Sequence, residues 1–315
     1  MSVTPVPTRP VVQRKVRRRS ALQRRQTVLA WIFLLPALAV VGFVAFYPLG
    51  KTVYYSFTDQ QFLAGLQPTK WVGLENYFGK TGIIHDADFR HSIWVTVKFT
   101  LITVSFEFVL GMIIALVVNS NFKGRGVMRG VMLVPWAIPT VVAAQMWKWM
   151  YDDVFGVIND AGVHRLHLLH HSVAWISQPS TALGAVCAVD IWKTTPFVAL
   201  LLLAGLQVIP QELYEAARVD GASALQQFWR ITLPLLRPAI LVALIFRTLD
   251  ALRVFDIFNV FFGSRTDTQT MAIYDQNTIV SIGDVGYGSA ISVAIFLIIG
   301  LFVVVYAVAM RVDEG

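Results

Sequence analysis

The sequence predicts an all-α integral membrane protein of six transmembrane helices, with one helical loop on the cytoplasmic side. Three observations carry that prediction. Hydrophobic residues make up 56% of the chain and charged residues 14%, a balance well outside that of soluble domains. Several apolar stretches are long enough to cross about 30 Å of hydrocarbon, which takes about 20 helical residues. The basic residues crowd onto alternate connections, which sets an orientation.

The predicted spans are Val28–Leu49, Ser92–Val118, Val127–Met150, Thr181–Leu206, Pro238–Phe258 and Ser289–Met310. The first follows an arm, residues 1–27, that carries Arg9, Arg14, Lys15, Arg17, Arg18, Arg19, Arg24 and Arg25 and no acid. An even number of spans puts both termini on one side. The connection Asn119–Arg129 carries Lys123, Arg125 and Arg129 without an acid, whereas the one after the third span sets Asp152, Asp153 and Asp160 against Arg165. Positive-inside counting therefore places both termini, the Asn119–Arg129 connection and the loop at about 207–237 in the cytoplasm. The connections Gly50–His91, Tyr151–Ser180 and Asn259–Gly288 then lie outside. The simplest partition is one membrane domain, 28–315, behind a disordered basic arm.

Composition also bounds function. The net charge of +7 does not point to nucleic acid, because the cations concentrate ahead of the first span with no recognisable binding module. That arm reads as a topology signal and an anionic-lipid contact. Cys187 is the single cysteine, so neither an internal disulfide nor a thiol-based metal site can form. A cleaved signal peptide is disfavoured, since Val28–Leu49 is long for such a segment and no small-residue cleavage site follows.

The loop between the fourth and fifth spans is polar and helix-forming. Pro210 stands at a helix start, Glu212 and Glu215 suit the positive end of the helix dipole, and Gly221 permits a sharp bend. A second short helix, Ala222–Arg230, is expected to end before Pro234, with Pro238 opening the next span. The string Glu215-Ala216-Ala217-Arg218-Val219-Asp220-Gly221, running on to Ile231-Thr232-Leu233-Pro234, resembles the cytoplasmic coupling loop of permease subunits of ATP-binding-cassette importers: Glu-Ala-Ala, three residues, Gly, then an Ile-x-Leu-Pro exit. The resemblance covers nearly the whole chain from Val28. Segments such as Asp190–Pro196 and Arg247–Arg253 look most similar to maltose- and trehalose-type sugar permeases. It implies the type I importer fold and a coupling knob centred on Glu215, Ala216, Ala217, Asp220 and Gly221. It further implies a second related permease, two ATPase subunits and an extracytoplasmic sugar-binding protein as partners. This chain then binds no cofactor and is no enzyme, ATP and Mg being held by the ATPase subunits.

Ionisable groups inside spans are costly, so they face a bundle interior, a partner or a hydrated pathway. Asp190, Lys193, Thr194 and Phe197 fall on one face of the fourth span, and Phe246, Leu249, Asp250 and Arg253 repeat that spacing in the fifth. Trp136 and Thr140 lie one turn apart in the third span, beside Pro135 and Pro139. Aromatic faces next to hydroxyl, carboxylate and cationic groups suit a sugar. The resemblance places the pocket of such permeases on Trp136, Thr140, Asp190, Lys193, Thr194, Phe197, Asp250 and Arg253. A structural reading stands beside this one. Arg247, Asp250, Arg253 and Asp256 form a ladder of alternating sign that can neutralise itself, and Asp190 can pair with Lys193. Glu107, alone in the second span, fits either reading.

Other signals carry less. Gly73–Thr81 has five residues between its glycines where a phosphate-binding loop needs four. His167 and His171 share the spacing of zinc-binding helices but lack a completing Cys or carboxylate, so a solvated helix is expected there. The rival function is an ion-coupled secondary transporter using Glu107 and Asp190, for which paired halves with broken helices are expected and no repeat is evident. A membrane hydrolase would need a nucleophile and base that the chain does not show.

Overall fold

The computed structural model describes residues 21–62 and 69–311; of the basic arm expected at 1–27, residues 1–20 lie outside them, while 21–27 are helical and begin α1 instead of being disordered. Two compact units are present, Met1–Lys51 and Thr52–Gly315. The described part of the first unit belongs to helix α1, Ala21–Tyr55, which is apolar all round: its hydrophobic window has 0% of its residues buried inside the protein. A helix of that kind is solvated by lipid tails or covered by a partner.

The second unit is built on α2 (Ala87–Asn119), α6 (Pro179–Leu206) and α9 (Leu233–Leu252), with α2 lying along α6 and α9 against both. α12 (Val285–Arg311) packs on α9. The close approach of α6 and α9 requires Gly205, where a Cβ would come within 2.4 Å of Ala239 Cβ. Small residues at such contacts let helices pack where lipid gives no hydrophobic drive. Two apolar clusters divide this core along its length. One gathers Phe99, Ala185, Val189 and Phe258, the other Met112, Val118, Leu202 and Leu236. Glu107, Asp190 and Arg247 lie between the two clusters along α2, α6 and α9.

Two predicted spans need correction. Val127–Met150 is not one straight helix: α3 (Arg125–Met132) and α4 (Val134–Ala137) meet α5 (Thr140–Met150) at 87°. Pro139 cannot donate to the preceding turn, and it drives Ile138 into extended geometry. The fifth span begins at Leu233 instead of Pro238 and ends at Leu252, before Phe258. Pro234 sits in its first turn, where a missing N–H costs nothing. The loop helix α8 (Ala224–Gln227) accordingly runs through a wide π turn, Phe228–Thr232, into α9 instead of stopping before Pro234. Among the described residues, four helices are long and apolar enough to span, five with the bent pair. α9, with Arg237, Arg247 and Asp250 in its 20 residues, completes a six-helix permease fold.

The segment Asp160–Arg165 is a π turn followed by irregular chain through His167, which has φ +53°. The solvated helix expected to carry His167 and His171 is therefore absent. Between α9 and α12, α10 (Asp256–Phe262) packs against α5, and α11 (Met271–Gln276) packs against α2 and α12. The start of α2 is tied to this region by Asp86. Its Oδ2 accepts from Tyr274 Oη at 2.5 Å and Tyr287 Oη at 2.6 Å, while Oδ1 accepts the Asp88 and Phe89 amides. Burial pushes the Asp86 carboxyl upward, but these four donors together hold it below its ordinary value.

Asp275, on α11, is the opposite case. Its Oδ2 accepts from Ser292 at 2.6 Å, its Oδ1 is buried without a partner, and burial pushes its pKa up to about 6. A carboxyl raised above its unfolded value of 3.8 is held most cheaply in its neutral form. The folded state therefore pays a penalty that grows as pH rises from about 4 to 6 and is full above it, on the order of 2 kcal/mol. Asp275→Asn is expected to raise the thermal midpoint of the detergent-solubilised protein at pH 7.5 and to lose most of that advantage by pH 4. Melting curves at the two pH values check this, and an equal gain at both would contradict it.

Candidate functional site

The polar groups of the three central helices converge on Arg247. Its guanidinium, 3% exposed, turns its Nε and Nη2 edge to Glu107: Nε donates to Oε2, and Nη2 to Oε1 at 2.9 Å. Nη2 also pairs with Asp190 Oδ2, and Nη1 donates to Asp250 Oδ2 at 3.2 Å. Glu107, fully buried, meets the Thr194 hydroxyl as well, with Thr194 Oγ1 at 2.5 Å from its Oε1. Thr194 Oγ1 is also 2.6 Å from the Asp190 carbonyl one turn back. A buried cation is tolerable here because three carboxylates surround it, Glu107 in bidentate geometry.

On the far side of this network from Glu107 is a cavity of about 400 Å³, lined by Trp136, Thr140, Asp190, Lys193, Thr194, Arg247, Asp250 and Arg253, with Phe255, Asp256 and their neighbours. An adjoining cavity of about 280 Å³ shares Trp136, Thr194 and Asp250 and adds Phe197 and Phe246. The Trp136 and Phe197 rings are stacked, 5.9 Å apart at 14°. One wall is thus aromatic and the other hydrogen-bonding. All eight residues expected to line a pocket border this double cavity. Trp136 and Thr140 reach it because the third span breaks between them. A separate cavity of about 330 Å³ between α2, α9 and α12 is lined mainly by residues such as Val104, Phe108 and Leu244, with no charged group.

The charge pairing differs from both patterns read from sequence. The ladder runs from Arg247 through Asp250 to Arg253 and leaves out Asp256, because α9 ends at Leu252 and Asp256 starts a new helix. Arg253 keeps a long contact of 3.7 Å with Asp250. Asp190 pairs with Arg247 across helices, and Lys193, 7% exposed, forms no ion pair among the described residues. Arg247 is the group that sequence spacing missed as a cavity residue, since its spacing had placed it only in the ladder.

At the other end, the loop forms an exposed knob. Helix α7 (Gln211–Val219) ends as Gly221 turns left-handed at φ +78°, with the Gly221 amide on the Arg218 carbonyl and the Ala222 amide on Ala217. Ser223 then caps α8 in a reciprocal box with Gln226. Glu215, Ala216, Asp220 and Gly221 are exposed and Ala217 half-buried, flanked by Val219 at 87% and Leu225 at 67% exposure. Tyr214 Oη, 3.0 Å from Thr232 Oγ1, ties the knob to the start of α9.

Residues 107–313 match the family described as binding-protein-dependent transport system inner membrane component. The chain belongs to that family. This permease is 43% identical over 291 residues to the trehalose/maltose transport system permease protein MalF of Thermococcus litoralis, covering 91% of this chain and 95% of the relative. It is 40% identical to the sulfoquinovosyl glycerol transport system permease protein SmoG of Agrobacterium fabrum, over 91% of this chain and 92% of the relative. With the trehalose transport system permease protein SugA of Mycobacterium tuberculosis it shares 38% over 85% of this chain and 84% of the relative. A solved bacterial ABC transporter involved in the import of the acidic polysaccharide alginate superposes with a TM-score of 0.77 at 22% identity, over 91% of this chain and 96% of that one. The permease thus has the fold of ABC importer subunits and is a multi-pass inner-membrane transport component, not an enzyme.

Proposed function

We propose that this permease carries a disaccharide of the trehalose or maltose type across the cytoplasmic membrane, driven by ATP hydrolysis on partner subunits. The observation that carries the reading is the double cavity at mid-depth of the helix core, with stacked Trp136 and Phe197 on one wall and Asp190, Lys193, Thr194, Asp250 and Arg253 on the other. A pyranose ring offers an apolar face to the aromatics and a rim of hydroxyls to the polar wall. The names of the relatives at 43% and 38% identity support the choice of sugar.

In this account both termini and the knob are cytoplasmic, and the basic arm, 1–27, rests on anionic lipid beside a membrane domain at 28–315. Glu215, Ala216, Ala217, Asp220 and Gly221 dock on one of two ATPase subunits, which hold ATP and Mg. A second permease completes the pathway, and an extracytoplasmic sugar-binding protein delivers the cargo. ATP-driven closure of the ATPases moves the knob and, through the Tyr214 contact, α9, so that the cavity alternates between the two sides.

Uptake of a panel of labelled disaccharides by a strain lacking this chain, with and without the restored gene, tests the reading. Trehalose or maltose uptake should return with the gene. Uptake of neither trehalose nor maltose on restoring the gene would contradict it. Within that assay, Lys193→Ala and Asp250→Ala should each lower uptake about tenfold per assembled complex, the loss of one or two charge-assisted hydrogen bonds, while mild detergent still extracts normal amounts of complex. Poor assembly with normal uptake per surviving complex would make these residues structural.

A further inference from the structure

Glu107 touches neither cavity, yet it holds two of the groups that do. We propose that Glu107 is a positioning residue for the cavity, fixing which edge of the Arg247 guanidinium and which rotamer of Thr194 face the transported molecule; this rests on the cavity being the sugar pathway. Both Glu107 oxygens are committed. Oε2 takes Arg247 Nε, and Oε1 takes Arg247 Nη2 together with the approach of the Thr194 hydroxyl. A guanidinium is planar and rigid, so fixing its Nε and Nη2 edge also fixes the direction of Nη1, which is aimed at Asp250 on the cavity wall. The hydroxyl of Thr194 has one hydrogen to give, and its two acceptors, Glu107 Oε1 and the Asp190 carbonyl, leave its lone pairs free for a donor in the cavity. One carboxylate on α2 thereby orients polar groups on α6 and α9. The sealed position of Glu107 between the two apolar clusters keeps water from replacing it.

The geometry separates Glu107 from a plain helix strap. A strap sets how much complex folds, whereas an orienting group also sets how tightly the folded complex holds its cargo. Glu107→Gln keeps the volume but presents an amide donor to a guanidinium that has no acceptor. The test uses the complete transporter in proteoliposomes with radiolabelled trehalose and maltose, and compares the parent, Glu107→Gln, Glu107→Asp and Lys193→Ala. The expected result is an apparent KM raised about tenfold in Glu107→Gln, with maximal rate per complex within about twofold, because charge-assisted contacts are misdirected rather than lost. Glu107→Asp, which keeps the charge but draws it back from Thr194, should raise KM severalfold less. If Glu107→Gln fails to assemble, Glu107→Asp decides: a parental KM in that variant would overturn the proposal. A parental KM in Glu107→Gln while Lys193→Ala is impaired would also overturn it and leave the sugar pathway standing. No uptake of either sugar by the parent would instead bring down the pathway reading itself.

Discussion

Gly221→Asp should leave the permease inserted and assembled in the membrane while uptake falls to below about a tenth of the parent rate. The glycine adopts φ +78°, and a Cβ there would meet nothing within 4 Å. Aspartate is among the residues that tolerate this left-handed geometry, so the folding cost stays near 1 kcal/mol. What changes is the exposed face: a second carboxylate appears beside Asp220 at the tip proposed to enter the ATPase cleft. Misplaced charge at a docked face costs several kcal/mol, and each 1.4 kcal/mol is tenfold in affinity. Glu215→Lys reverses the charge on the same face and should act alike. Co-purification of the ATPase subunit checks the cause, because an undiminished yield of ATPase with normal uptake would contradict the docking role.

Arg247→Met should have the second large effect, and on a different quantity. Removing the guanidinium strands Glu107 and Asp190, both buried, without their shared cation. Breaking a buried ionic group in this way costs on the order of 3 to 5 kcal/mol, so assembled complex should fall well below a tenth of the parent amount. Glu107→Gln combined with Arg247→Met relieves part of that cost and should recover assembly without recovering uptake. Extraction in mild detergent followed by size-exclusion measures the yield. Normal yield of Arg247→Met would show that the network contributes little to folding.

The contrast between the helices shows what the sequence could reveal. α2, α6 and α12 follow apolar runs whose ends lie within a few residues of the helix ends, because lipid demands continuous hydrophobicity. The third span was harder, since Pro135 and Pro139 leave its hydropathy intact while bending it through 87°. The fifth was displaced because Arg237, Arg247 and Asp250 dilute its apolar signal, and because a proline in a first turn looks the same in sequence as one that breaks a helix. Cavity residues on α6 and α9 were visible from helical spacing and from the resemblance together. The partners of Arg247 were not. Glu107 lies 140 positions away, and a ladder on one helix cannot reveal a carboxylate brought to it by another. The bend of the knob was legible because its geometry is local to Gly221, whereas the Ser223 box that starts α8 two residues after the expected Ala222 was not read.

The proposed function is sugar import under ATP control. The most direct measurement is trehalose and maltose uptake into proteoliposomes holding the complete transporter and its binding protein, with ATP enclosed or omitted and with ionophores that collapse every ion gradient. Uptake should require enclosed ATP and be unchanged by the ionophores. Uptake that proceeds without ATP and stops when the gradients collapse would contradict it, and would turn the carboxylates around Arg247 into candidates for ion coupling.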